Sequence, residues 1–184
     1  MKTLVLQGSP KKKGNTATLA MRFLEGLISA NEGVEISEYW LNDLDIHPCQ
    51  GCFQCKGTAR CVWNDDMQRL YPEIEEAQLI LFAVPIYWWH MNAQTKLCMD
   101  RFTALLSPDD KLPALAGKHI VLIVSYNHRS CAECTIKMFE DFKEWIGIKL
   151  DVLEHCAKEG HVSSVPSRID AAYTLGKDIG LGKG

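Results

Sequence analysis

A chain of 184 residues with 20 Lys and Arg against 23 Asp and Glu carries a net charge of −3. That length suits one domain, and 47% apolar with 23% charged residues excludes a disordered, collagenous or coiled-coil chain. The balanced, slightly acidic charge lacks the basic face of a nucleic-acid binder, so no nucleic-acid partner is expected. No apolar run reaches the roughly 18 residues of a membrane span. The longest, Leu79 to Trp89, contains Pro85 and stops at His90, so no membrane partner is expected either. Met1 to Pro10 has too few apolar residues for a signal peptide, and the expected location is cytoplasmic.

Apolar runs of strand length alternate with helical patterns along the chain. Thr3-Leu4-Val5-Leu6 is a short run halted by Gly8-Ser9-Pro10. Leu19, Ala20, Phe23, Leu24 and Leu27 then recur at the three- and four-residue spacing of an amphipathic helix. Val34 to Tyr39 alternates like a strand with one covered face, and Asn64 or Asp65 is placed to cap a short helix starting near Asp66. Leu79 to Val84 and His119 to Val124 are continuously apolar, as strands covered on both faces are. Helices are predicted from about Asn92 to Leu106, Cys131 to Trp145 and Pro166 to Ile179, with a strand over Leu150 to His155 between the last two. Five strands alternating with helices imply right-handed crossovers and a parallel sheet. Ligands of such sheets sit beyond the carboxyl ends of the strands where the topology reverses. The loops to read are therefore Gly8–Thr16, Pro85–Met91 and Ser125–Ser130.

The first loop, Gly8-Ser9-Pro10-Lys11-Lys12-Lys13-Gly14-Asn15-Thr16, is rich in hydroxyls, glycines and cations and ends on a helix N-terminus, which suits an anion. It is neither a Walker A loop nor a Gly-x-Gly-x-x-Gly fingerprint. The plainer reading is a polar turn with solvated lysines and an Asn or Thr cap. In the second loop, three consecutive aromatics, Tyr87-Trp88-Trp89, follow a buried strand. They suit the face of a flat heterocycle, or equally a core or a dimer interface.

Gly8-Ser9-Pro10-x3-Gly14-Asn15-Thr16, Pro85-Ile86-Tyr87 and Ala93-Gln94-x-Lys96-x3-Asp100-Arg101 resemble the flavodoxin-like NAD(P)H-dependent FMN reductases. Pro48-Cys49-Gln50-Gly51-Cys52-Phe53-Gln54-Cys55-x5-Cys61-x3-Asp65-Asp66-Met67 is similar to the compact motif of the iron–sulfur flavoproteins. The resemblance implies one flavodoxin-like domain over residues 1–184, a doubly wound five-stranded parallel sheet of order 2-1-3-4-5 with helices on both faces. It implies FMN as cofactor, its phosphate held by Ser9, Lys11, Asn15 and Thr16. Pro85, Ile86, Tyr87, Trp88 and Trp89 would border the isoalloxazine, with Ser125 and Tyr126 closing the other side. It also implies an oxidoreductase taking electrons from NAD(P)H to a second acceptor, such as a quinone, azo or nitro compound. The alternative is an electron carrier between flavin, a [4Fe-4S] cluster and a ferredoxin-like partner. Trp88-Trp89-His90 and Ser125-Tyr126-Asn127-His128 depart from the smaller loops of many relatives. The apolar surface of Trp88, Trp89 and Met91 exceeds what one flavin covers, which predicts a homodimer or homotetramer.

Eight cysteines are many for a reducing compartment, and such clustering points to metal or redox chemistry. Cys49, Cys52, Cys55 and Cys61 supply the four thiolates of a [4Fe-4S] cluster within one loop. Free half-buried thiols beside the flavin are the second possibility, and zinc or a disulfide the third. Cys131-Ala132-Glu133-Cys134 is a separate Cys-x-x-Cys near a helix start, a thiol–disulfide motif.

Overall fold

The computed structural model describes residues 1–56, 58 and 60–183. Strands β1 (Lys2–Gln7), β2 (Glu35–Trp40), β3 (Leu79–Tyr87), β5 (His119–Tyr126) and β6 (Lys149–Cys156) run parallel in the order β2-β1-β3-β5-β6, and β4 (His90–Met91) pairs antiparallel with the end of β3. Without β4, this is the 2-1-3-4-5 order expected from sequence. The helices are α1 (Asn15–Ala30), α2 (Met67–Glu76), α3 (Ala93–Asp100), α4 (Glu133–Ile146) and α5 (Pro166–Gly180). None is long and apolar enough to cross a membrane.

The period-2 geometry of strands divides the core in two. Leu4, Leu6, Ile80, Phe82, Val84, Ile120 and Leu122 face α2, α3 and α4. Val5, Leu79, Leu81, Ala83, Val121 and Ile123 face α1 and α5. The central strands are therefore buried on both sides, which is why they read as unbroken apolar runs. On the second face, α1 and α5 meet backbone to backbone. A Cβ on Gly176 would lie 2.0 Å from the Phe23 carbonyl oxygen, and one on Gly26 would lie 2.0 Å from that of Tyr173.

Three elements differ from the sequence expectation. β2 is an edge strand, and none of its six residues is fully buried, so its covered face is only half-formed. β3 runs three residues past Val84, through Pro85. Pro85 is tolerated there because β1 has already ended: Gly8 N–H donates to the Ala83 carbonyl at 2.9 Å, and no neighbouring strand needs the missing N–H. The helix expected to reach Leu106 stops at Asp100 and tightens into a 3₁₀ turn over Arg101–Leu105, where Arg101 turns its side chain into the interior.

Candidate functional site

Between β1 and β3 the chain reverses direction across the sheet, and beyond the carboxyl ends of these strands lies a cavity of about 270 Å³. Ser9, Lys11, Asn15, Thr16, Pro85, Ile86, Tyr87, Ser125 and Tyr126 line it, together with Gly14, Asn127 and Ala157. Asn127 directly follows two residues singled out from sequence. Ala157 comes from the far end of β6, and no sequence signal announces it.

The β1–α1 loop forms the cavity floor. The Ser9 hydroxyl accepts the Lys11 N–H at 3.1 Å and the Lys11 carbonyl accepts the Gly14 N–H at 2.9 Å, so the loop is wound by its own bonds. Gly14, not an Asn or Thr, occupies the position before α1, and no side chain caps the helix. The first-turn N–H groups are left for another acceptor, and the positive end of the helix dipole opens into the cavity. Asn15 braces the loop: its Nδ2 donates to the Ser125 Oγ at 3.3 Å, and its Oδ1 accepts from the Val162 N–H at 3.0 Å. From behind, the buried Asn92 donates to the Gly8 carbonyl at 2.6 Å. A Cβ on Gly8 would lie 2.2 Å from the Thr95 hydroxyl, so glycine is needed there for close approach.

Trp88 and Trp89 stand outside this cavity. They form the two-residue turn joining β3 to β4, both with positive φ (47° and 63°), a conformation in which hairpins normally place Asn and Gly. Their rings contact each other at 6.0 Å and are 89% and 58% exposed. On the opposite rim the Tyr126 hydroxyl donates to Glu154 at 3.0 Å. Burial first, and then that carboxylate, push the phenol up to about 12.

The four-cysteine loop is tied at its base. Arg101 and Asp65, each 1% exposed, form a buried ion pair, with Nη2 to Oδ1 at 3.0 Å. Arg101 Nη1 also donates to the His47 carbonyl at 2.8 Å. Asp65 accepts from the N–H groups of His47 at 2.9 Å and Met67 at 3.1 Å. Burial alone would raise the Asp65 carboxyl, but Arg101 and these amides outweigh it and hold the group below its ordinary value. His47 stacks on Trp63 at 4.3 Å. Both Asp65 and Arg101 stood in the sequence motifs, but their pairing across the loop did not.

Cys49 and Cys52 are exposed, Cys55 is buried and Cys61 is half-buried. Burial raises the Cys55 thiol, and the Cys61, Cys49 and Cys52 thiols add to the shift. Among the described residues, no three His, Cys, Asp or Glu side chains converge on a single metal position. The donor set nevertheless fits a [4Fe-4S] cluster in kind and number. Three buried polar atoms without a hydrogen-bond partner, His47 Nδ1, Trp63 Nε1 and Arg101 Nε, lie at the base of the same loop.

Residues 1–151 match the model of the NADPH-dependent FMN reductases. The chain belongs to that family. It is 30% identical over 153 residues to a Bacillus subtilis protein whose name describes an NAD(P)H-dependent FMN-containing oxidoreductase, covering 80% of each chain. It is 36% identical over 101 residues to an iron–sulfur flavoprotein of Methanocaldococcus jannaschii, covering 55% of this chain and 51% of that one. It thus spans about half the length of that protein and of an iron–sulfur flavoprotein of Archaeoglobus fulgidus, to which it is 33% identical over 126 residues. The NAD(P)H:quinone oxidoreductase of Methanothermobacter marburgensis superposes with a TM-score of 0.68 at 17% identity, over 97% of this chain and 96% of that one. This FMN reductase family member therefore has the flavodoxin-like fold its sequence implied.

Proposed function

We propose that the protein is an FMN-dependent oxidoreductase that takes electrons from NAD(P)H and passes them to a quinone, azo or nitro compound. The observation that carries this reading is the uncapped N-terminus of α1 opening into the cavity at the sheet's switch point. The N–H groups there, with Ser9, Lys11 and Thr16, suit a phosphate monoester. The end of β3 at Pro85, Ile86 and Tyr87 and the end of β5 at Ser125 and Tyr126 form two walls that suit a flat ring system. FMN, when bound, supplies the hydride and electron chemistry. The chain fixes the ring between its walls and neutralises the phosphate. One anion pocket favours FMN over a dinucleotide. Replacing Thr16 with Val is expected to weaken FMN by about 1–3 kcal/mol, read by fluorescence titration of the apoprotein; unchanged affinity overturns the phosphate assignment.

The reading places one FMN-binding domain over residues 1–184 of a cytoplasmic homo-oligomer. The exposed Trp88 and Trp89 follow directly on the β3 wall of the cavity and offer apolar surface to a second subunit.

A second reading rests on the four thiols carried by one loop and on the three buried polar atoms at its base that lack a hydrogen bond. In it, Cys49, Cys52, Cys55 and Cys61 hold a [4Fe-4S] cluster, and the protein serves as a carrier toward a ferredoxin-like partner. Anaerobic protein should then contain about four irons per chain, and Cys52→Ser should lose them while keeping FMN. Flavin without iron would leave the plain reductase.

A further inference from the structure

Cys131 and Cys134 lie outside both sites described above. Cys131 closes a short 3₁₀ turn over Arg129–Cys131, and Cys134 lies in the first turn of α4. The two segments are continuous. Cys131 N–H donates to the His128 carbonyl at 3.0 Å, Ala132 N–H to Arg129 at 2.9 Å and Ile136 N–H to Ala132 at 3.0 Å. Residues three apart on such a helical run share a face, with Cβ atoms about 5–6 Å apart, within a small adjustment of the roughly 3.5–4.5 Å of a disulfide. Ala132, fully buried between them, anchors the turn. Cys131 is half-buried and Cys134 exposed.

Neither a metal site nor a structural bridge fits the pair. Among the described residues, no third metal-ligating side chain joins them. A bridge closing so short a loop would add little stability, because the entropy gained falls with loop length. Cys156 donates to the Asn127 carbonyl at 3.4 Å.

We propose that Cys131 and Cys134 form a redox-active dithiol that reduces low-molecular-weight disulfides, with Cys134 attacking and Cys131 resolving. The Cys134 thiol loses its proton, and its sulfur attacks one sulfur of the substrate disulfide, releasing one substrate thiolate and forming a mixed disulfide. The Cys131 sulfur, deprotonated in turn, attacks the Cys134 sulfur and releases the second thiolate. The substrate gains two electrons, the two cysteines lose them, and the two protons pass to the departing thiolates. The order follows from access: the exposed thiol meets the substrate, and the half-buried one reaches only its neighbour. An exposed disulfide of this kind belongs to the labile class.

The test uses the full-length protein, reduced, desalted anaerobically and exposed to oxidised glutathione. Remaining thiols are blocked with N-ethylmaleimide and located by peptide mapping, which separates this pair from Cys49 and Cys52. The wild type should show a bond between Cys131 and Cys134. Cys131→Ser should accumulate a glutathione adduct on Cys134, whereas Cys134→Ser should modify Cys131 about tenfold more slowly or not at all. Full blocking of both thiols in the wild type, or a bond from either one to Cys156, overturns the proposal. Equal adduct formation in the two variants overturns the order of attack. The outcome does not depend on whether FMN or iron is bound.

Discussion

At the scale of single residues, the strongest constraint on the cysteine loop is the Arg101–Asp65 pair. Removing one partner of a buried ion pair strands the other charge, at a cost of about 3–5 kcal/mol. Arg101→Met should therefore lower the urea midpoint sharply and expose Cys55 to alkylation. Adding Asp65→Leu should recover only part of the loss, because the His47 and Met67 amides would then lose their acceptor. The pair also sets a pH dependence. Asp65 is held below its ordinary value, so its contribution is complete above about pH 4 and is lost as pH falls through the lower, folded-state value. Urea midpoints from pH 6 down to pH 3 should fall more steeply for the wild type than for the Arg101→Met, Asp65→Leu double variant. Parallel curves would assign the acid sensitivity to other carboxylates.

At the scale of elements, the β3–β4 hairpin sets local preference against exposed aromatic surface. Two tryptophans with positive φ cost on the order of 1–3 kcal/mol each, and residues left 89% and 58% exposed bury little apolar area to offset it. Exposed apolar surface of this kind marks a contact site. Trp88→Asn with Trp89→Gly should therefore raise the melting temperature at dilutions where both proteins are monomeric. At higher concentration the same change should lower the mass measured by light scattering. A lower melting temperature in the monomer would show that the rings stabilise the chain itself.

At the scale of the whole molecule, the tryptophan hairpin is exposed apolar surface joined to the β3 wall of the cavity. Light scattering at micromolar concentration with FMN bound is expected to give the mass of a dimer or tetramer. A monomer with flavin bound would refute the assembly. FMN that binds only the folded protein should also stabilise it, by about 2.7 kcal/mol at one hundred times its dissociation constant, measured as a rise in the melting temperature.

The sequence by itself determined the alternating strands and helices, their order in the sheet and the loops at the switch point. These depend on local periodicity and on handedness rules that act on neighbouring elements. Nine of the eleven residues expected around FMN line one cavity for the same reason: they lie at the carboxyl ends of β3 and β5, or in the loop and first helical turn that follow β1, all places the pattern had already marked. The tertiary structure alone decided which of them face it. Tyr87 lines the cavity, whereas Trp88 and Trp89 turn away because the chain reverses through a two-residue hairpin. Asn15, read as a phosphate ligand, also braces Ser125 and Val162, partners 110 and 147 residues away. The pairing of Asp65 with Arg101, 36 residues apart, depends in the same way on how β3, α3 and the cysteine loop pack. No local pattern carries it, because a buried charge is compensated by whichever partner the fold brings alongside it.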